Sequence, residues 1–237
     1  MTDEPSAASS AFDHSRVERD LDAGGAALLP GLLDAEQCRA LRELYSDEAR
    51  FRSTVVMARH NFGSGEYKYL AYPLPELVQG LRTRLYELLV PTARRWHEAL
   101  GAERPLPPTH AQYLEECHAA GQARPTPLLL RYGPNDYNCL HQDLYGDHVF
   151  PLQVAVLLSE PGVDFTGGEL ILTEQRPRMQ SRAEVVPLGR GDGVAFAVSE
   201  RPVLGTRGFY RVKMRHGVSR VRSGARSVLG IIFHDAT

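Results

Sequence analysis

Two short segments carry residue types that together could hold a metal. Leu140-His141-Gln142-Asp143 puts an imidazole and a carboxylate two residues apart, and in a strand residues two apart point to the same side. A second imidazole, His216, lies in a segment where Tyr210, Val212, Met214 and His216 alternate with Arg211, Lys213 and Arg215. A period of two, basic on one side and apolar on the other, reads as a half-buried strand, so His216 is expected to point inward. Two His and one carboxylate on one face of a metal leave three coordination positions open, the arrangement suited to non-haem Fe(II) and O2. Ten residues after His216, Arg226 opens the apolar run Val228-Leu229-Gly230-Ile231-Ile232-Phe233. A buried Arg needs an anion. A dicarboxylate co-substrate would supply one, gripped by the planar guanidinium through two hydrogen bonds.

These residues resemble the motifs of the Fe(II)/2-oxoglutarate oxygenases, in which a His-x-Asp pair and a distant His hold iron and a basic residue holds 2-oxoglutarate. The prolyl 4-hydroxylase-like branch is the nearest resemblance. Its second motif corresponds to His216, Val221, Gly224 and Arg226, with a Tyr nine residues before the first His, here Tyr132, and a Gly-Gly-x-Leu strand, here Gly167-Gly168-Glu169-Leu170. Leu-His-Gln-Asp is also similar to the iron motif of the AlkB nucleic-acid demethylases, and the chain resembles a bacterial group labelled as acting on alkylated DNA. It departs from the AlkB pattern at Ile232, where those enzymes carry a second Arg, and at Leu130, where they carry Asn. The specific motifs span roughly residues 126–235.

The resemblance implies metal ligation by His141, Asp143 and His216, with Arg226 and Tyr132 binding 2-oxoglutarate. Tyr137, Asn138, Gln142 and Tyr145 flank the metal pair and are candidates for the substrate mouth. His148 is a rival ligand, but its place beside Asp147 suits a loop. Glu115, Glu116 and His118 read as a solvated helix face, and His234, past the last strand, as structural.

The 237 residues carry a net charge of -2. The sequence has no apolar run of membrane-spanning length and no basic-then-apolar leader, so a cytoplasmic location without membrane contact is expected. Cys38, Cys117 and Cys139 are odd in number and scattered, so they are expected to be reduced, buried thiols rather than a disulfide framework. Residues 1–50 hold 11 acidic against 5 basic side chains, whereas 201–226 hold 8 basic and none acidic. That basic stretch reads either as a solvated strand face plus one cofactor anchor, or as a surface for an anionic partner such as nucleic acid.

The elements that must position these groups follow from patterning. Residues 1–13 are small and polar and are expected to be a disordered tail. The remainder, 14–237, is expected to be a single domain, with helical support and a lid over 14–125 and a jelly-roll core over 126–237. Ala26–Leu29 reads as a strand. Asp34 with Gln37 forms a capping box for a helix bearing Cys38, Leu41 and Leu44. Phe51 to Tyr72, turning at Gly63 and Gly65, reads as a substrate flap or an ordinary hairpin. Glu76 to Val90 is an amphipathic helix, Pro91 restarts it as a second piece, and Thr109 with Gln112 starts another that Gly121 ends. Strands are expected at 128–132, 150–158, 169–173, 185–188, 194–198, 210–217 and 226–233. The fold class is therefore mainly β with N-terminal supporting helices (α+β), a double-stranded β-helix of jelly-roll, cupin-like type.

The function implied is an Fe(II)- and 2-oxoglutarate-dependent dioxygenase that hydroxylates a C–H bond of an amino-acid residue or small molecule, releasing succinate and CO2. Two alternatives stand beside it: an oxidative demethylase of N-alkylated nucleic-acid bases, and a jelly-roll module that binds metal or ligand without turnover. The partners are accordingly a small-molecule or peptide substrate, with nucleic acid the other possibility; oligomeric state is open.

Overall fold

Alternation along the strands separates two faces, and the faces decide the architecture. The computed structural model describes residues 12–102, 104–144 and 146–237. Helix α1 (His14–Gly24), strand β1 (Ala26–Leu29) and helix α2 (Ala35–Leu44) come first, then β2 (Phe51–Val56), β3 (Gly63–Ser64) and β4 (Glu66–Leu70). Helices α3 (Glu76–Ala99) and α4 (His110–Ala119) follow. The later part is strands: β5 (Leu128–Tyr132), β6 (Tyr137–His141), β7 (Leu152–Leu157), β8 (Phe165–Gly167), β9 (Leu170–Gln175) and β10 (Arg182–Val186). It continues with β11 (Gly193–Ala197), β12 (Glu200–Gly205), β13 (Gly208–Val218), β14 (Val221–Gly224) and β15 (Arg226–Ile231).

A seven-stranded sheet runs β1-β11-β7-β15-β5-β4-β2, and a second runs β10-β9-β13-β6-β3 with β12 added on β13. Every pairing between these strands is antiparallel. In the large sheet Leu29, Leu129, Val154, Val156, Leu229 and Ile231 face the helices and share one core with Leu81, Leu85, Leu89 and Trp96 of α3. The opposite face, with Tyr132, Leu157 and Val228, meets Val218 and Phe165 inside the barrel. This is the mainly β, double-stranded β-helix architecture.

Local chemistry accounts for the supports. Asp34 and Gln37 make the reciprocal capping box, and Thr109 accepts from the Gln112 N–H. Helix α1, absent from the sequence expectations, is capped by Asp13, so order begins before residue 14; residues 1–11 of the expected tail lie outside the described residues. Pro91 does not restart α3, which is one helix. Pro91 and Glu87, whose carbonyl loses its partner, both face solvent, so water can satisfy the lost bond. Phe51 to Tyr72 extends the large sheet through β4 on β5 rather than standing apart, and β3 pairs with β6. Cys38 and Cys117 are buried, but Cys139 is exposed because β6 has only two-residue β3 on its outer side.

The closing segment is knotted to the helix layer. The Asp235 carboxylate takes Arg82, Tyr72 and His118, the first at 2.8 Å, and Arg82 also bonds the Ile232 and His234 carbonyls. His118 is thus a hydrogen-bond partner of Asp235 rather than part of a purely solvated face. Burial, reinforced by Arg82, lowers His110 and His234 to about 4. Between that value and about 6.5 the unfolded chain binds more protons than the folded one, so stability falls as pH drops through this window and is flat above it. Each residue would contribute on the order of 3 kcal/mol across the full window. Urea unfolding midpoints should be constant from pH 8 to 7 and fall from pH 6.5 to 4.5; constant midpoints across the lower range would contradict the assignment.

Candidate metal centre

The barrel interior is apolar except for a few side chains that the register brings together. His216 on β13 pairs directly with His141 at the end of β6. Asp143 lies two residues past that strand rather than within it, yet its carboxylate returns to the same point. His141 Nε2 is 3.5 Å from Asp143 Oδ1, and His216 Nε2 is 3.2 Å from Asp143 Oδ2. One donor atom from each of the three lies within 4.8 Å of the others. The His141 tautomer suits ligation. His141 Nδ1 bonds the Cys139 carbonyl at 2.7 Å, which fixes its proton there and leaves the Nε2 lone pair facing the carboxylate. Burial and the neighbouring His216 lower the His141 pKa, against Asp143, keeping the ring neutral. Two imidazoles and one carboxylate with an open side fit Fe(II).

The loop that carries Asp143 away from β6 is clamped from behind. The buried Gln122 amide donates to the His148 and Asp235 carbonyls and accepts the His148 N–H, and Gly146, at φ +82, leaves room for it. His148 bonds Arg104 on this outer side, turned away from the metal donors.

Arg226 and Tyr132 face each other across β15 and β5 in direct register. The guanidinium is 3 % exposed, 5.5 Å from the Tyr132 ring centroid, and makes no hydrogen bond or ion pair with any described residue. Burial lowers its pKa to about 10, so it remains charged at neutral pH. The glycine motif explains itself here: a Cβ on Gly168 would sit 2.9 Å from Arg226 Cδ, and one on Gly224 would strike the Asp164 carbonyl. A buried cation awaiting an anion fits a dicarboxylate entering from the cavity.

That cavity, about 340 Å³, is lined by all three donor residues, Arg226, Tyr132, Asn138 and Gln142. The Gln142 amide is already committed to the Ser199 and Met214 carbonyls. Tyr137, on the exposed side of β6 beside Ser64, lies outside the lining, and Tyr145 falls outside the described residues. The sequence reading passed over Gln153, which is 5 % exposed on the inward face of β7; its signal is a lone amide interrupting the apolar run from Phe150 to Leu158. Asn61 and Phe62 also line the cavity, and Phe62, 48 % exposed, stacks on His60 at 5.3 Å. Of the basic stretch, Arg201 is not solvated: it is buried against Glu174, while Arg211, Lys213 and Arg215 face out.

The fold and donor set define an Fe(II)- and 2-oxoglutarate-dependent oxygenase, an oxidoreductase. Residues 65–236 match the model of the Oxygenase-NA family, described as an oxygenase catalysing oxidative methylation of damaged DNA, and the chain belongs to that family. It is 51 % identical over 164 residues to an uncharacterized protein of Mycobacterium tuberculosis, covering 69 % of this chain and 70 % of that one. In fold it is similar to a Pseudomonas putida prolyl-4-hydroxylase, with a TM-score of 0.57 at 15 % identity over 94 % of this chain and 99 % of that one. A 2OG-Fe(II) oxygenase family oxidoreductase from Burkholderia pseudomallei gives 0.58 at 14 % identity, covering 96 % and 93 %. No described helix is long and apolar enough to cross a membrane.

The unpartnered guanidinium makes a prediction that separates binding from stability. Arg226→Met should stabilise the metal-free chain by about 1 kcal/mol or more, since an apolar side chain of similar length replaces an unpaired buried charge. Urea unfolding without metal or 2-oxoglutarate reads this; a clear loss of stability would mean that the charge is satisfied within the protein.

Proposed function

We propose that the protein oxidises an N-methyl group on a nucleic-acid base, releasing formaldehyde and the demethylated base. The observation that carries this reading is the aromatic ledge at the cavity mouth. Phe62 is exposed, is held flat by stacking on His60 and lines the same cavity as the three metal donors. A base turned out of its strand can lie on such a face, a contact worth about 1–3 kcal/mol. Arg59, exposed beside it, offers positive charge for an adjoining phosphate. The family description, which concerns damaged DNA, supports the same substrate class.

In this reading His141, Asp143 and His216 hold Fe(II), and Arg226 with the Tyr132 hydroxyl holds the far carboxylate of 2-oxoglutarate. When bound, Fe(II) and 2-oxoglutarate supply O2 activation, with succinate and CO2 as products. The chain's own residues do the positioning. Arg226 orients the co-substrate from the closed end of the barrel, the apolar walls exclude water, and the mouth presents one alkyl carbon to the metal. A hydroxyl placed on a carbon bonded to nitrogen leaves as formaldehyde when the C–N bond breaks and the proton returns to nitrogen.

A second reading, hydroxylation of an amino-acid residue or small molecule, has its own support. The structure of a Trichoplax adhaerens prolyl hydroxylase in complex with a hypoxia inducible factor peptide fragment shares this fold with a TM-score of 0.54 at 13 % identity. Ile232, at the position of the second AlkB Arg, lines the cavity as an apolar group.

The readings part on one assay. With Fe(II), 2-oxoglutarate and O2, single-stranded oligonucleotides bearing N-methylated bases should yield formaldehyde in step with succinate. Phe62→Ala should lower kcat/KM for the oligonucleotide about 10-fold, leaving the KM for 2-oxoglutarate unchanged, whereas Arg226→Met should raise that KM at least 10-fold. Succinate coupled to a peptide or amino acid, with no formaldehyde from any methylated base, would replace the first reading with the second. No succinate with any substrate, including oligonucleotides, would favour a binding module.

A further inference from the structure

Inside the barrel one amide lacks a use. Gln153 shares the inward face of β7 with Ala155 and Leu157 and is 5 % exposed. Its Nε2 is 3.2 Å from His216 Nε2, and its Oε1 has no hydrogen-bond partner. Leaving a buried amide unsatisfied costs about 1–3 kcal/mol. The apolar run on either side of it supplies no packing reason for a polar residue.

The contact with His216 cannot persist in the loaded site. His216 Nε2 also faces Asp143 Oδ2 at 3.2 Å, so a metal held by these two residues takes the lone pair that the amide now meets. The Gln153 side chain then presents its NH2 and its oxygen to the open face of the metal, whichever way round the amide lies. A dicarboxylate co-substrate has two charged ends and the cavity has one buried guanidinium. Of the other amides on the cavity wall, Gln142 is spent on two backbone carbonyls and Asn138 reaches toward the Tyr132 hydroxyl at 3.5 Å, while Asn61 is exposed at the mouth.

We infer that Gln153 is a positioning residue for the co-substrate, its NH2 donating to the metal-side carboxylate of 2-oxoglutarate beside His216 while Arg226 takes the far carboxylate. The two residues then divide one molecule between them. Gln153 governs the end that must chelate, and Arg226 governs the depth to which the molecule enters. The inference concerns the co-substrate and holds for either primary substrate.

The test uses full-length protein loaded anaerobically with Fe(II) and three probes: 2-oxoglutarate, oxalate, which resembles only the metal-side end, and succinate, which lacks the chelating 2-oxo group. Gln153→Met keeps length and removes the hydrogen bond; Gln153→Glu keeps shape and sets a negative charge against the carboxylate. For Gln153→Met, the Kd of 2-oxoglutarate and of oxalate should rise together about 10-fold. The charge-transfer absorption of the 2-oxoglutarate complex should shift, while succinate binding and Fe(II) affinity stay within twofold. Gln153→Glu should weaken oxalate further still. Arg226→Met should show the reverse pattern, losing succinate and 2-oxoglutarate but keeping oxalate. Oxalate and 2-oxoglutarate affinities within twofold of the unmodified protein in both Gln153 variants would overturn the inference. So would an equal loss of Fe(II) affinity, which would place the amide's role on His216 itself.

Discussion

The Arg226 guanidinium, enclosed by the barrel with no hydrogen bond or ion pair to any described residue and with only Glu169 acting on it from farther off, is the constraint around which the interior is arranged. Burying an unpaired charge is expensive, and the surrounding residues keep that cost in place rather than relieving it. Gly168 and Gly224 remove the side chains that would displace the arm or the backbone behind it. Tyr132 stands in register across the strand pair and offers a ring and a hydroxyl, neither of which neutralises the charge. Under the proposed function, an incoming dicarboxylate would meet a group already desolvated and already oriented.

The metal donors depend on the same frame in a different way. His141 and His216 are partners in one ladder, so strand pairing fixes their separation, and the Cys139 carbonyl fixes the tautomer of the first. Asp143 is held indirectly, since it lies on the loop that Gln122 clamps against the segment around Asp235. The helix layer thus does more than cover the large sheet: through Arg82 and His118, with Tyr72 from the segment before α3, it grips the carboxylate of Asp235, and through Gln122 that grip reaches the loop bearing Asp143.

Much of the frame was legible because its signals are local. The capping residues of α2 and α4 stand where the expected spacing put them, and β5 runs over the expected Leu128–Tyr132. Alternation along Tyr210 to His216 gave the correct inward face of β13. What escaped depended on partners distant in sequence. Strands β8 and β14 are short, carry Gly, Thr and Arg, and pair with each other from far apart in the chain, so only that pairing identifies them. Pro91 reads as a break until its outward orientation is known, and Cys139 reads as buried until β6 is seen to lie nearly at a sheet edge. Tyr137 sits next to the metal pair in sequence yet faces away from the cavity, whereas Gln153 sits inside it with no motif to mark it. Convergence on one point is a property of the closed barrel, and short-range patterning records only which face each residue takes.

The place of β15 in the large sheet bears on how the molecule is made. It lies between β7 and β5, both of which precede it in the chain by many residues. As the polypeptide leaves the ribosome, those two strands emerge before β15 with facing edges bare, and no neighbour can fill the gap until residues 226–231 appear. Long-range pairing of this kind is slow, and open edges invite wrong partners meanwhile. Nascent chains are thus exposed to edge-to-edge association from the completion of β7 until β15 arrives, and the same late strand that closes the gap also delivers the guanidinium, so maturation of the pocket and escape from misassembly become a single event.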